Sequence, residues 1–447
     1  MLVIRLCFPA MTSLSNAEFS RLTRSRRDFL EKAALMVGST LPGAQALSSL
    51  AADSPRPLRK VAGILTWYKQ GSHADVLIGK ILEGWRHEGG VGPRLELVSL
   101  YVDQFPEDDM ARAMSEKHGF PIFDSIEDAL TLQSDSLAVD GVLSIGEHGD
   151  YPTNPKGQKL YPRRRFFEGI TQAFRQFGRV VPVFSDKHLG PVWEDAKWMY
   201  DQAQAMNIPF MAGSSLPLSF RKPDWAPPMG SRMLAAVGVG YSGLDIYGTH
   251  TLEVYQAMVE RRLGGEKGVK SVQWFGAKDM WRRVDDGTID AKVLQAALDA
   301  TPKASGSSVS VRDLEGEGVG LFLFEYVDGF QGAIFMLPGY LAGCGFAARL
   351  EGDTFIHSVG IEERREPHYP HFAYLLKAIE TMVWTGRPSY PVERTLLTSG
   401  ILDRVLTSRH EGGHKLLTPE LQITYQPVGY PHAPMPWLEE GYGPLTQ

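Results

Sequence analysis

From Val61 to Ser215 short apolar runs alternate with segments whose apolar residues fall at helical spacing, and few folds accept that pattern. Val61 to Tyr68 reads as a strand, and Ala74 to Trp85 as a helix with Val76, Leu77, Ile78, Ile81, Leu82 and Trp85 on one side. "LELVSLYVD" is a second strand ending on Asp103, and "EDDMARAMSEKHG" a helix stopped by Gly119. "FPIFDSIEDAL" gives a short strand and a helix, and "VDGVLSIGEHGD" a strand with a loop at its end. "RRFFEGITQAFRQFG" is a helix, "RVVPVFSDK" a strand, "VWEDAKWMYDQAQAMN" a helix and "IPFMAGSS" a strand. Such alternation argues for a parallel sheet covered by helices on both faces.

The pattern changes after the proline-rich bridge "RKPDWAPPMGS", Arg221 to Ser231. Longer strand-like segments follow: "RMLAAVGVGY", "GVKSVQWFG", "GVGLFLFEYVDGFQGAIFMLPGY" and "FAARLEGDTFIHS". Asp328-Gly329 between apolar runs is a hairpin signal, and Leu252 to Arg262 and "YPHFAYLLKAIETMVWTG" read as helices. The expected class is α/β. A Rossmann-like parallel-sheet domain over residues 59–222 precedes an α+β domain over 223–447, with an open, mostly antiparallel sheet and a C-terminal helix and tail.

The segment before it has a different purpose. "SRRDFLEKAALMVGSTLPGAQALSSLAA" pairs Arg26-Arg27 with Phe29, Leu30 and Lys32, then gives a mild apolar run and small residues. The pattern predicts a twin-arginine-type export signal and linker over residues 1–58, with Met1 or Met11 as the start, and a periplasmic or extracytoplasmic location. Cys7 falls in that segment, so Cys344 is left as a single thiol in a small-residue setting that reads as packing. A net charge of -6 and short Lys/Arg runs such as Arg163-Arg164-Arg165 give no electrostatic reason to expect nucleic acid. No apolar run is long enough to span a bilayer. The expected partner is a small carbohydrate, and a homo-oligomer is allowed.

The first strand-to-helix turn is where such a sheet holds a pyrophosphate, which needs free N–H groups and close backbone approach. Overlaying G-x-G-x-x-G puts Thr66 and Tyr68 at the first two glycine positions and Gly71 at the third, so a tyrosine side chain stands in phosphate space unless the loop swings aside. Asp103, ending the second strand, is placed to bind a ribose hydroxyl, although it lies beyond the usual spacing of about 20 residues; it suits equally well the cap of the next helix. Asp186-Lys187-His188 end a strand, and ligands bind outside such ends, so Lys187 points to the cleft, where it would hold a hydroxyl and pass protons. His250 and Glu253, one turn apart, read as an acid/base imidazole with a carboxylate to orient it, or as a surface pair. The strand-end loop "SIGEHGDYPTNPKGQKLYPRRR" supplies Glu147, His148, Asp150 and Tyr151, which with His188 are candidates for hydrogen bonding a substrate. A divalent metal on Glu147, His148 and Asp150 beside His250 is the alternative, with no local metal-binding spacing behind it.

The order of these segments resembles the Gfo/Idh/MocA oxidoreductase family, from about Lys60 into the C-terminal region. "FGRVVPVFSDKHLGPVWEDAKWMYDQAQAMNIPFMAG" is similar to the stretch in which that family carries Glu-Lys-Pro: Lys187 falls on the lysine, with Asp186 and His188 replacing its neighbours. "DIYGTHTLEVYQAMV" resembles its Gly-x-His-x-x-Asp segment, with His250 on the histidine and Glu253 on the acid; Ile246 stands where the family has an aspartate, and Asp245 is displaced by one. The resemblance implies tightly held NAD or NADP, with Thr66, Tyr68, Gly71, Asp103 and Lys187 as cofactor contacts. It also implies oxidation and reduction of a sugar or cyclitol hydroxyl, with Lys187 and His250 as the acid/base pair. A non-redox, metal-assisted epimerase or lyase, and a non-catalytic carbohydrate-binding protein, are the rival expectations.

Overall fold

The computed structural model describes residues 57–434, with residue 308 left out. The segment expected to be an export signal, residues 1–58, lies outside the described residues but for its last two, and Cys7 with it.

Six parallel strands form the first sheet: β1 (Arg59–Leu65), β2 (Leu95–Val102), β3 (Ile122–Phe123), β4 (Gly141–Ile145), β5 (Val183–Asp186) and β6 (Phe210–Gly213). Their order is β3-β2-β1-β4-β5-β6, so the chain reverses direction across the sheet between β1 and β4. Between them run helices α1 (His73–Glu83), α2 (Ala111–His118), α3 (Ile126–Thr131), α4 (Arg163–Gln176) and α5 (Trp193–Ala205). The N-terminus of α1 is set by Ser72, whose hydroxyl accepts the Asp75 N–H, and α2 ends where Gly119 turns left-handed at φ 75°. A strand order that reverses at β1/β4 creates a crevice outside the carboxyl ends of those two strands.

The second sheet has eight strands in the order β14-β9-β10-β11-β8-β12-β13-β7. They are β7 (Phe220–Lys222), β8 (Met233–Gly240), β9 (Val269–Gly276), β10 (Gly320–Tyr326), β11 (Gln331–Met336), β12 (Gly345–Leu350), β13 (His357–Glu362) and β14 (Leu416–Leu417). Every ladder is antiparallel except β8 with β11. The hairpin expected at Asp328-Gly329 joins β10 to β11, with Gly329 at φ 88°.

Helix α6 (Ile246–Val259) packs on one face of this sheet, and α7 (Ala291–Ala300) covers the other. There Val293, Leu294, Ala297 and Leu298 meet Val237, Leu321, Phe335 and Ala347, so the sheet buries both faces. α6 starts at Ile246 rather than Leu252. Every residue from Gly248 to Val259 is buried, which erases the one-sided stripe by which a helix start is read. Helix α8 (Pro370–Thr385) returns to the first sheet, where Phe372, Leu375, Ile379 and Met382 join the core of β1 and α1. Helix α9 (Glu393–His410) is enclosed on almost every side and packs on α5, α6 and β9. Among the described residues no helix is long and apolar enough to cross a membrane.

Candidate active site

The carboxyl ends of β4 and β5 and the N-terminus of α1 converge on a buried polar cluster. Lys187, the residue after β5, is 3% exposed and held in the left-handed region at φ 61°. Its ammonium donates to Glu147 Oε1 at 2.9 Å, and Arg163, fully buried at the start of α4, donates to Glu147 Oε2 at 2.7 Å. Burial pushes the Glu147 carboxyl up, but Lys187 and Arg163 outweigh it and hold it well below the usual carboxylate range. His148, next along, is also left-handed at φ 69°, and its Nε2 has no hydrogen-bond partner among the described residues. Two non-glycine residues in that region, at adjacent strand ends, mark strain that the surrounding contacts must hold in place, as functional sites often do.

His250 enters from the first half of α6. Its Nδ1 shares a 2.5 Å hydrogen bond with Ser214 Oγ, which also accepts the Leu216 N–H at 3.1 Å. Burial, then Lys187 and His73, push the His250 ring well below its ordinary range, so it is neutral. Among the described residues Nδ1 is the one acceptor that the Ser214 hydroxyl proton meets, so Oγ donates to Nδ1, which leaves the ring proton on Nε2. Glu253 does not orient this ring, contrary to the expectation: its Oε1 accepts from the Thr398 hydroxyl at 2.5 Å, and burial pushes its carboxyl up. One helical turn carries Glu253 toward α9 rather than into the cleft.

His73 and Glu363, which the sequence reading passed over, and Asp245, there named only as displaced by one, complete the cluster. His73, first residue of α1, donates from Nδ1 to the buried Asp186 carboxylate at 2.7 Å, and its ring lies 5.9 Å from that of His148 and 6.3 Å from that of His250. Glu363 stands at the solvent-open mouth, takes the Tyr241 hydroxyl at 2.7 Å and lies within electrostatic reach of Lys187 and His73. Asp245, ahead of α6, accepts the Lys159 N–H at 2.9 Å, and burial pushes its carboxyl up to about 6. The signal for His73 lay in "QGSHADV", where the helix start itself, rather than a glycine, faces the strand ends.

Other expected contacts fall outside the cleft. His188 is buried between Arg163 (3.3 Å) and the Thr249 hydroxyl (3.2 Å), so it braces Arg163 and does not meet a substrate. Asp150 is exposed, and its backbone is pinned in both directions by the Gln104 side chain. The metal set of Glu147, His148 and Asp150 therefore does not assemble, because Glu147 is consumed by two cations and Asp150 lies apart, lining the hollow beside Gln104 and Phe105. Among the described residues, Asp75, His87 and His368 bring donor atoms within 4.8 Å of one another. The two imidazoles of that group are stacked at 3.5 Å, so one ion cannot lie in both ring planes.

Tyr68 does not obstruct the dinucleotide crevice: the ring is fully buried in the core with Leu65, Val76 and Ala111, so Tyr68 is not a cofactor contact. The crevice is filled by other groups. The Thr66 hydroxyl donates to the Glu147 carbonyl at 2.5 Å, and the Thr66 N–H to the Ile145 carbonyl at 3.2 Å, which ties β1 to the β4 loop across the switch point. The Gly71 N–H is taken by the Asp75 carboxylate at 2.8 Å, at the N-terminus where a pyrophosphate would bind. A carboxylate about 4 Å from a phosphate charge costs about 4 kcal/mol at an effective dielectric of 20, against about 0.3–1 kcal/mol from the helix dipole. Asp103 is partly suited: it ends β2 beside a hollow of about 570 Å³ lined by Trp67, Gln104, Phe105 and Gly149. Its carboxylate, however, already accepts from Tyr101 (2.8 Å), Tyr151 (2.6 Å) and Arg165 (2.6 Å). The ribose end of the crevice is recognisable, but the phosphate end does not fit a dinucleotide in this arrangement.

Comparison with solved structures shows the same fold in GenD2 from gentamicin A biosynthesis, a complex with NAD, at 12% identity and TM-score 0.50 over 82% of this chain and 99% of that one. The WlbA dehydrogenase from Bordetella pertussis, in complex with NADH and UDP-GlcNAcA, aligns at 16% identity and TM-score 0.47 over 82% and 99%. A scyllo-inositol dehydrogenase from Lactobacillus casei aligns at 11% identity and TM-score 0.49 over 81% and 99%. No protein-family model and no curated protein matches the sequence. The chain thus shares with GenD2 a Rossmann-type first sheet followed by a mostly antiparallel second one; at this identity the likeness establishes the fold alone.

Proposed function

We propose that the protein is an enzyme acting at a hydroxyl-bearing carbon of a sugar or cyclitol, with Lys187 and His250 handling the proton of the reacting oxygen. The observation that carries this reading is a buried ammonium and a neutral imidazole presenting an Nε2–H, on neighbouring elements at the carboxyl end of β5. The side chains favour the non-redox form, an epimerase or lyase, because Asp75 and Thr66 occupy the donors a pyrophosphate would need. The shared fold and the position of Asp103 favour the second reading, an oxidoreductase with tightly held NAD or NADP. Protein purified under native conditions is expected to release no stoichiometric dinucleotide on denaturation, read from absorbance and mass spectrometry of the supernatant. One equivalent of NAD or NADP per chain would reverse the order of the two readings.

The protein is further proposed to work outside the cytoplasm, on the strength of the Arg26-Arg27 pattern. A site that needs no nicotinamide pool suits that compartment. Replacing both arginines by lysine is expected to leave the unprocessed chain in the cytoplasmic fraction of the expressing cells. Unchanged processing and export in that variant would remove the proposal.

A further inference from the structure

We infer that His73, aligned by Asp186, is a second acid–base residue of the cleft, and that the site interconverts α-hydroxy carbonyl sugars by proton transfer. The inference rests on the carbohydrate reading above and names its substrate class. Its basis is a pair of imidazoles held at Nδ1 by unlike partners, a carboxylate on His73 and a hydroxyl on His250. The Asp186 carboxylate can only accept, so the His73 ring keeps a proton on Nδ1, and Nε2 is the nitrogen left to exchange a proton with a substrate. Ser214 donates to His250, so that ring offers a proton at Nε2. The two rings lie 6.3 Å apart, centroid to centroid, close enough for both to reach one small substrate. The Phe372 ring packs edge-on to His73 at 4.9 Å and fixes its plane, while the side chain keeps 13% of its surface open to solvent. A His–Asp pair at this point in the fold stands where α1 would otherwise meet a phosphate.

The chemistry balances without an oxidant. His73 Nε2 takes the proton from the carbon that bears a hydroxyl beside a carbonyl. The C–H electron pair becomes the C=C bond of an enediol. The carbonyl π pair moves to oxygen, which receives the proton from His250 Nε2, with the Lys187 ammonium nearby to steady the developing charge. Return of the proton from His73 to the neighbouring carbon gives the isomer, and its return to the opposite face, by way of solvent, gives the epimer. For the isomer His250 recovers its proton from the hydroxyl on the carbon that lost its hydrogen, whose oxygen becomes the new carbonyl; for the epimer it recovers it from the oxygen it protonated.

The test incubates the full chain in deuterated buffer with glucose, fructose and glucuronate as probes, and reads carbon-bound deuterium by NMR. The wild type is expected to incorporate deuterium beside the carbonyl of at least one probe. His73→Gln is expected to slow this by about 100-fold or more with an unchanged melting temperature. Asp186→Asn is expected to slow it less and to move the acid limb of the pH–rate profile to lower pH, a shift that a merely structural role would not produce. Equal rates in the wild type and His73→Gln, with exchange lost in Lys187→Met, overturn the role of His73 and leave the Lys187–His250 reading standing. Exchange that appears only with added NAD overturns the inference in favour of the redox reading, and no exchange with any probe overturns the substrate class.

Discussion

Arg163→Leu is expected to destabilise the protein by about 1.5–3 kcal/mol, the usual worth of a hydrogen bond to a charged group. Arg163 is fully buried and bridges two parts of the site, donating to Glu147 from one nitrogen and meeting His188 with another. Without it Glu147 keeps Lys187 alone, and His188 loses its contact on the α4 side. The sign of the pH dependence follows from the Glu147 carboxyl, which is held below its unfolded value. A carboxyl depressed on folding contributes stability that is fully present above its unfolded pKa of about 4.3 and is lost as pH falls through the folded value. The wild type is therefore expected to resist mild acid, and Arg163→Leu to unfold at higher pH. Denaturant melts at pH 7 and at pH 4 measure both effects. Equal stability of the two proteins at both pH values would show that Lys187 alone suffices for Glu147.

The same residues show where sequence reasoning reaches and where it stops. The strand–helix alternation from Val61 to Ser215 was legible because each element buries one stripe or one run, and the observed order of strands and helices follows it closely. Lys187 was legible by topology, since whatever follows β5 stands at the open end of a parallel sheet. Tyr68 was not, because an aromatic beside a strand end packs equally well into the crevice or into the core, and only the Val76–Ala111 surface beneath decides. His73 was invisible for a related reason: a search for glycines asks what has been lost from the turn, not what has replaced it. Glu253 sits at helical spacing from His250, yet spacing fixes only the face of a helix, and α6 is buried on all of them.

Lys187→Met is expected to lower any conversion the wild type carries out by about 10³-fold, within the 10²–10⁴-fold range of a positioned proton-transfer group. The effect should fall on kcat rather than on KM, because the ammonium sits against Glu147 on the floor of the cleft and acts on charge that develops during reaction. Methionine keeps the length and apolar stem of the lysine, so the left-handed turn at position 187 and its N–H bond to the Gly213 carbonyl can persist. Glu147 keeps one cation in either variant, but Arg163→Leu also takes the partner of His188, so Lys187→Met should lose turnover first and Arg163→Leu stability first. His250→Gln supplies the comparison. An amide can still meet Ser214 but cannot take and return a proton, so the double variant with Lys187→Met should be little worse than either alone if the two act on one oxygen as a unit. Fully additive losses would instead place the two residues on separate atoms of the substrate. Unchanged turnover in Lys187→Met would move the chemistry away from the end of β5 altogether.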